Sequence, residues 1–238
     1  MTNIEQNIAT VRARIQQSCH KAGRSADEIT LLAVSKTVSL DAMRVAIACG
    51  QKDFGENYIA EGVEKIEALA VERVTFDLKW HCIGPIQSNK TRLVAQHFDW
   101  VHTLDRFKIA ERLNEQRPAA CSPLQVCIQV NIDGSSTKSG VQPEEVMALA
   151  EGISKLPQLQ LRGIMAIPDI ISNNTQYAIN NIAVEAIYTP AREVFNQLKA
   201  LYATIDTLSI GMSADLEPAI MAGSTMVRVG SAIFGSRA

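Results

Sequence analysis

ITLLAVSK, residues 29–36, is a short, continuous apolar run that ends on a lysine. It is too short for a buried helix and does not alternate polar with apolar, which is how a strand covered on both faces reads. Seven more segments of this kind follow: DFGENY (53–58), LKWHCIG (78–84), WVHTLD (100–105), LQVCIQVNI (124–132), LRGIMAIP (161–168), DTLSIGMS (206–213) and MVRVGSAIFG (226–235). Helical patterns separate them. LDAMRVAIACG follows the first run, NKTRLVAQHF the third, and PEEVMALAEGISKL the fifth, with Pro143 suited to a first helical position. Ahead of them all, residues 3–22 carry Ile4, Ile8, Val11 and Ile15 on one helical face and stop at Ala22-Gly23. Eight strands alternating with helices predict an α/β chain folded as a (β/α)8 TIM barrel, with an open doubly wound sheet as the rival. A single domain over residues 1–238 with an N-terminal helix is expected.

Bulk properties narrow the function classes. Apolar residues make up 47 % of the 238, ample for a large core. A formal net charge of −2 implies no basic face for nucleic acid. No apolar run is long enough to span a bilayer, and MTNIEQNIATVRARI lacks the apolar core of a signal peptide. The five cysteines (Cys19, Cys49, Cys82, Cys121 and Cys127) are scattered and show no metal-ligand spacing. They read as thiols of a reducing compartment, so a cytoplasmic protein without a bound metal is expected.

A TIM barrel places its chemistry at the C-terminal ends of the strands. Lys36 ends the first strand and shares a face with Leu32 and Val34. An amine desolvated there has its lone pair free to attack an aldehyde and form a Schiff base. The plainer reading is a strand-end lysine that reaches solvent. Gly211-Met212-Ser213 and Arg228-Val229-Gly230-Ser231 end strands seven and eight, where barrel phosphate sites commonly form. Glycine admits an anion close to the backbone, and serines add hydroxyl donors. Ser213 also stands where the cap of the following helix would be. Alternation points Arg228 and Gly230 into the barrel, and a buried arginine calls for either an ion pair or a ligand.

These residues carry a resemblance. LLAVSKT (31–37), FGENY (54–58), WHCIGPIQSNK (80–90), NIDGSSTKSG (131–140), RGIMAIP (162–168) and IGMSADLEPAIMAGSTMVRVGSAIFGSR (210–237) span nearly the whole chain in order. The chain resembles the pyridoxal phosphate homeostasis protein family (YggS/PROSC-type) and, more remotely, the barrel domain of alanine racemase. One departure is Cys82, where the family usually carries a larger apolar residue. The resemblance implies that pyridoxal 5′-phosphate (PLP) is held as a Schiff base on Lys36. It puts Arg228 at the pyridine nitrogen, and Ser213, Gly230 and Ser231 at the phosphate. Asn57 and Met165 are weaker expectations for the pocket lining. His81 is an acid/base candidate, though a satisfied, semi-buried histidine is the favoured reading. Lys138 is read as a solvated loop lysine, with a second cofactor-guiding amine as the alternative. The polar segment DIISNNTQ (169–176) is expected to be a mobile loop.

The implied function is intracellular PLP homeostasis, with PLP-dependent apo-enzymes as partners that receive the cofactor. A monomer without robust catalytic activity, nucleic-acid binding or membrane binding is expected. The alternative is an amino-acid racemase of the same barrel type. Such enzymes add a β-rich domain and a dimer partner, and a chain ending at Ala238 is expected to lack that domain. A cofactor-free Schiff-base aldolase is a third reading, and it leaves the inward Arg228 unexplained.

Overall fold

The computed structural model describes residues 3–134, 139–168 and 186–235. Eight parallel strands close into a barrel in chain order: β1 (Thr30–Val34), β2 (Asp53–Glu56), β3 (Lys79–Cys82), β4 (Trp100–Leu104), β5 (Leu124–Val130), β6 (Leu159–Ala166), β7 (Thr207–Ser209) and β8 (Met226–Val229). The barrel closes where Thr30 to Ala33 pair with Met226 to Val229. The described helices are α1 (Ile4–Lys21), α2 (Leu40–Ala48), α3 (Ile59–Ala68), α4 (Ala70–Phe76), α5 (Thr91–His97), α6 (Phe107–Gln116), α7 (Val146–Ser154), α8 (Thr189–Leu201), α9 (Leu216–Met221) and α10 (Ser231–Phe234). The TIM barrel read from the sequence is therefore the fold, and the open-sheet rival falls with the β1–β8 pairing. Lys138 and the segment 169–176 lie outside the described residues.

Two layers of side chains follow from strand alternation. Residues facing outward, such as Ala33, Phe54, Trp80, Cys82, Val101, Leu104, Ile128, Ile164, Val227 and Val229, form one continuous core with the buried stripes of the helices. On α1 that stripe is Ile8, Val11, Ile15 and Cys19. Cys82 lies fully inside this outer core, and burial pushes its thiol up to about 12. Residues facing inward include Leu32, Val34, His81, His102, Met165, Ser209 and Arg228, registered side by side across the sheet or bonded to one another. Barrel interiors are usually filled by branched apolar side chains. A polar column through this one is a departure with consequences for the site.

The strands are shorter than the apolar runs suggest. Strand eight stops at Val229, and SAIF turns helical as α10. Strand one stops at Val34, and Lys36 and Thr37 form a turn. The excess apolar residues belong to loops of the C-terminal face, packed under neighbouring loops rather than in the sheet. Gly84 shows how tight that face is. A Cβ at this position would lie 1.9 Å from the carbonyl oxygen of Asn57, so the loop after β3 can cross the loop after β2 only as glycine. Gly84→Ala is expected to lower unfolding free energy by about 3 kcal/mol. Urea denaturation reads this directly, and a variant as stable as the parent would show that the crossing is slack.

Candidate functional site

Lys36 is half-buried just beyond the end of β1, and its two neighbours are clamped from behind the sheet. Ser35 Oγ donates to Glu56 Oε1 at 2.6 Å. Lys65, on α3, donates to the Ser35 carbonyl at 2.6 Å, to Glu56 Oε1 at 2.9 Å and to Glu61 Oε1 at 2.6 Å. Glu61 Oε1 also accepts the Thr37 N–H at 2.5 Å. Thr37 sits at φ 61°, a conformation unfavourable for a β-branched residue, and the Glu61 contact helps to hold it there. Glu56 is buried, and desolvation raises its carboxyl above the ordinary range against the pull of Ser35 and Lys65. The turn that presents Lys36 is thus built on buried ionic chemistry.

The loops after β7 and β8 meet next to it in the barrel. Ser213 Oγ and Ser231 Oγ lie 3.4 Å apart. Ser213 is not the cap of α9, contrary to one sequence reading. Asp215 occupies that position, and its carboxylate instead accepts the Met212 N–H at 2.8 Å and the hydroxyl of Tyr188. Burial, reinforced by that carboxylate, pushes the Tyr188 hydroxyl upward in pKa, so it stays a donor. Gly211 adopts φ 92° with Ala219 Cβ 2.4 Å from where its own Cβ would be, so the loop requires glycine there. The N-terminal helix secures both halves. Arg14 donates to the Ser213 carbonyl at 3.1 Å and pairs with Glu217 at 2.7 Å, while Asn7 donates to the Ile233 carbonyl at 2.8 Å. Gly230 is buried at the start of α10, and Ser231 is exposed. The first N–H groups of a helix lack intrahelical acceptors, so this end offers donors beside the two hydroxyls.

Arg228 points into the barrel, as alternation predicts, and is only 5 % exposed. Nη1 donates to the carbonyl and hydroxyl of Ser209 at 2.7 and 2.8 Å, and Nη2 to the Ala166 carbonyl at 3.1 Å. No described carboxylate forms an ion pair with it, so the ion-pair reading of this arginine finds no support among the described residues. Burial lowers its pKa, and the more distant Tyr188 and Asp215 oppose that. Met165 is 1 % exposed and pairs in register with Ser209, which places it on the inner face beside Arg228. Asn57 is half-buried at the end of β2, and its Oδ1 is buried without a partner among the described residues. His81 is fully buried rather than semi-buried, with both ring nitrogens engaged.

Arg228 on β8 and Lys36, Ser213, Gly230 and Ser231 in the segments just after β1, β7 and β8 therefore belong to three strands that neighbour each other through barrel closure, with Asn57 just after β2 and Met165 on β6. An aldehyde-bearing phosphate ester with an aromatic nitrogen fits this set. It needs an amine, hydroxyl and N–H donors for an anion, and a group at the ring nitrogen. A ring nitrogen would offer the charged Arg228, which meets only neutral acceptors among the described residues, one further acceptor. Ser209 and His102 were not singled out from the sequence, because their partners are distant along the chain, whereas the i,i+4 spacing of Glu61 and Lys65 is a signal that could have found that pair.

Comparisons with known proteins identify the family. The family model for the alanine racemase N-terminal domain matches residues 2–238. A pyridoxal phosphate homeostasis protein of Vibrio cholerae is 52 % identical over 237 residues, covering 100 % of this chain and 98 % of the relative. One from Escherichia coli is 52 % identical over 244 residues with the same coverage. The chain belongs to the pyridoxal phosphate homeostasis protein family. Among solved structures, PipY of Synechococcus elongatus without PLP is 32 % identical, covers 98 % of this chain and 100 % of its own, and superposes with a TM-score of 0.82. The form of PipY with PLP bound gives 0.77 at the same identity and coverage. Alanine racemase of Corynebacterium glutamicum shares the fold at a TM-score of 0.67 and 16 % identity, covering 98 % of this chain and 62 % of that enzyme.

The clamp behind Lys36 makes a quantitative prediction. Lys65→Met leaves Glu56 buried without its cation, at a cost of about 3–5 kcal/mol. Adding Glu56→Gln should restore a large part of that loss. Denaturant unfolding of both variants measures the coupling, and strictly additive effects would show that the pair is not a unit.

Proposed function

We propose that this protein binds PLP at the C-terminal mouth of the barrel, as a Schiff base on Lys36, and serves intracellular PLP homeostasis by delivering it to apo-enzymes. The observation that carries the reading is that the Ser213–Ser231 hydroxyl pair, the buried Arg228 and the turn that bears Lys36 all follow or lie on β7, β8 and β1, which are neighbours in the closed barrel. Ser213, Ser231 and the start of α10 hold the phosphate. Asn57 and Met165 line the pocket, and Arg228 lies at the ring nitrogen. When bound, PLP supplies an aldehyde that the Lys36 amine captures reversibly.

Arg228 sets how strong an electron sink the cofactor can be. A guanidinium only donates hydrogen bonds and stays charged, so it disfavours a second positive charge on the ring nitrogen. An unprotonated ring is a weaker electron sink, which is tolerable for a racemase and harmless for a carrier. We read the protein as a binder and carrier rather than a robust catalyst, and as a monomer without nucleic-acid or membrane partners. Its five free thiols fit the cytoplasm.

Two measurements test this. PLP titration followed by absorbance should give a Schiff-base band in the parent that is missing in Lys36→Ala. Ser213→Ala combined with Ser231→Ala should weaken binding about tenfold or more, as expected for lost hydrogen bonds to an anion. Incubation with L-alanine should yield no saturable formation of D-alanine. Robust turnover that disappears in Lys36→Ala would replace the carrier reading with a racemase.

A further inference from the structure

The inward-facing polar residues form one unbroken column. Arg228 Nη1 donates to Ser209 Oγ at 2.8 Å. Ser209 Oγ lies 3.1 Å from His102 Nδ1, His102 Nε2 lies 3.0 Å from His81 Nδ1, and His81 Nε2 lies 3.0 Å from Asp53 Oδ1. Ser209, His102 and His81 are all fully buried. The Asp53 side chain is 26 % exposed and borders a cavity of about 500 Å³ on the N-terminal face, shared with Arg12, Thr30 and Lys52. His81 is further held by stacking on Trp100, with centroids 5.3 Å apart and planes 12° from parallel.

With each ring carrying a single proton, the two ends of this column fix one order of protons along it. Arginine only donates, and an ionised aspartate only accepts. From the arginine end, Ser209 Oγ accepts from Arg228 and turns its own hydrogen toward His102 Nδ1. His102 then carries its proton on Nε2 and donates to His81 Nδ1. His81 in turn carries its proton on Nε2 and donates to Asp53. Reading from the aspartate end gives the same order. A second proton on His81 would set two N–H groups facing each other unless His102 took the opposite tautomer, and that tautomer would leave the Ser209 hydroxyl without its acceptor. Burial disfavours the charged form of His102, which agrees with a single proton on that ring.

We infer that Asp53, His81 and His102 are positioning residues for Arg228, forming a hydrogen-bond relay of one direction that links the cofactor-facing guanidinium to a carboxylate on the opposite face of the barrel. The relay supplies the counter-charge that Arg228 lacks among its described neighbours, through neutral groups that polarise one another along the column. It also locks Ser209 Oγ as an acceptor, so the guanidinium has no freedom to turn from the ring. This role rests on the PLP reading above, whereas the proton order is a property of the protein alone.

The proton order is tested first, without cofactor. The chain has four histidines, and His20→Gln with His97→Gln leaves only the two of the relay. A long-range 15N–1H correlation spectrum of the cofactor-free protein at neutral pH should show both rings neutral and protonated on Nε2. A ring protonated on Nδ1, or an imidazolium, overturns the relay whether or not PLP binds. The role is tested next with PLP. Asp53→Leu, at the partly exposed end, should weaken PLP binding about tenfold and shift the absorption maximum of the bound cofactor. Asp53→Asn keeps an acceptor oxygen and should restore both toward the parent. Parent-like affinity and spectrum in Asp53→Leu would refute the positioning role. A parent that fails to bind PLP at all would instead refute the functional reading, leaving the relay to be judged on the tautomers.

Discussion

Thr30 to Ala33 of β1 pair in parallel with Met226 to Val229 of β8, and everything at the candidate site depends on that closure. Lys36 follows the first strand of the chain, whereas Arg228 lies on the last strand and Ser213 and Ser231 follow the last two. Nearly two hundred residues of alternating strand and helix separate them in sequence. Register then brings Leu32 beside Arg228, so the loop that bears Lys36 rises next to the strand that bears the guanidinium. The N-terminal helix reinforces the same seam, since Arg14 and Asn7 reach the backbones of the loops after β7 and β8. A helix outside the barrel repeat thus helps to hold the residues assigned to the phosphate.

Charge is buried on both faces of the sheet around this seam. On the outer face, Glu56, Lys65 and Glu61 fix the residues before and after Lys36. On the inner face, Arg228 heads the column that ends at Asp53. Buried ions are costly unless geometry and hydrogen bonds offset the loss of water, and an apolar substitute is often as stable. Their presence here is better explained by what they position than by stability. The outer cluster sets the turn that offers an amine. The inner column orients the guanidinium that the proposed function assigns to the ring nitrogen. A cofactor carrier needs both ends of its ligand defined, but needs no strong electron sink, and the two arrangements meet those needs separately.

Much of this was legible in the residues. Eight apolar runs separated by helical patterns led to the barrel because strands covered on both faces carry no alternation. The inward direction of Arg228 followed from simple parity in MVRVG. Strand ends were less legible. SAIF continues an apolar run but follows Gly230, where the chain leaves the sheet for α10. Ser213 looked like a helix cap because serine commonly is one, yet Asp215 is placed to take the Met212 N–H and the Tyr188 hydroxyl. The relay was hidden for a different reason. Asp53, His81, His102 and Ser209 come from four strands, and only barrel closure and register make them consecutive. Within its own strand each is an isolated polar residue, which pattern reading treats as a satisfied core group.

The central claim is that Lys36 is the residue that holds PLP. Loading the purified protein with PLP, reducing it with borohydride and mapping the modified peptide by mass spectrometry tests it most directly. The account predicts a single reduced adduct on Lys36, formed at the expense of the yellow absorption band. An adduct on another lysine, or a protein that stays colourless and unmodified with PLP in excess, would contradict it.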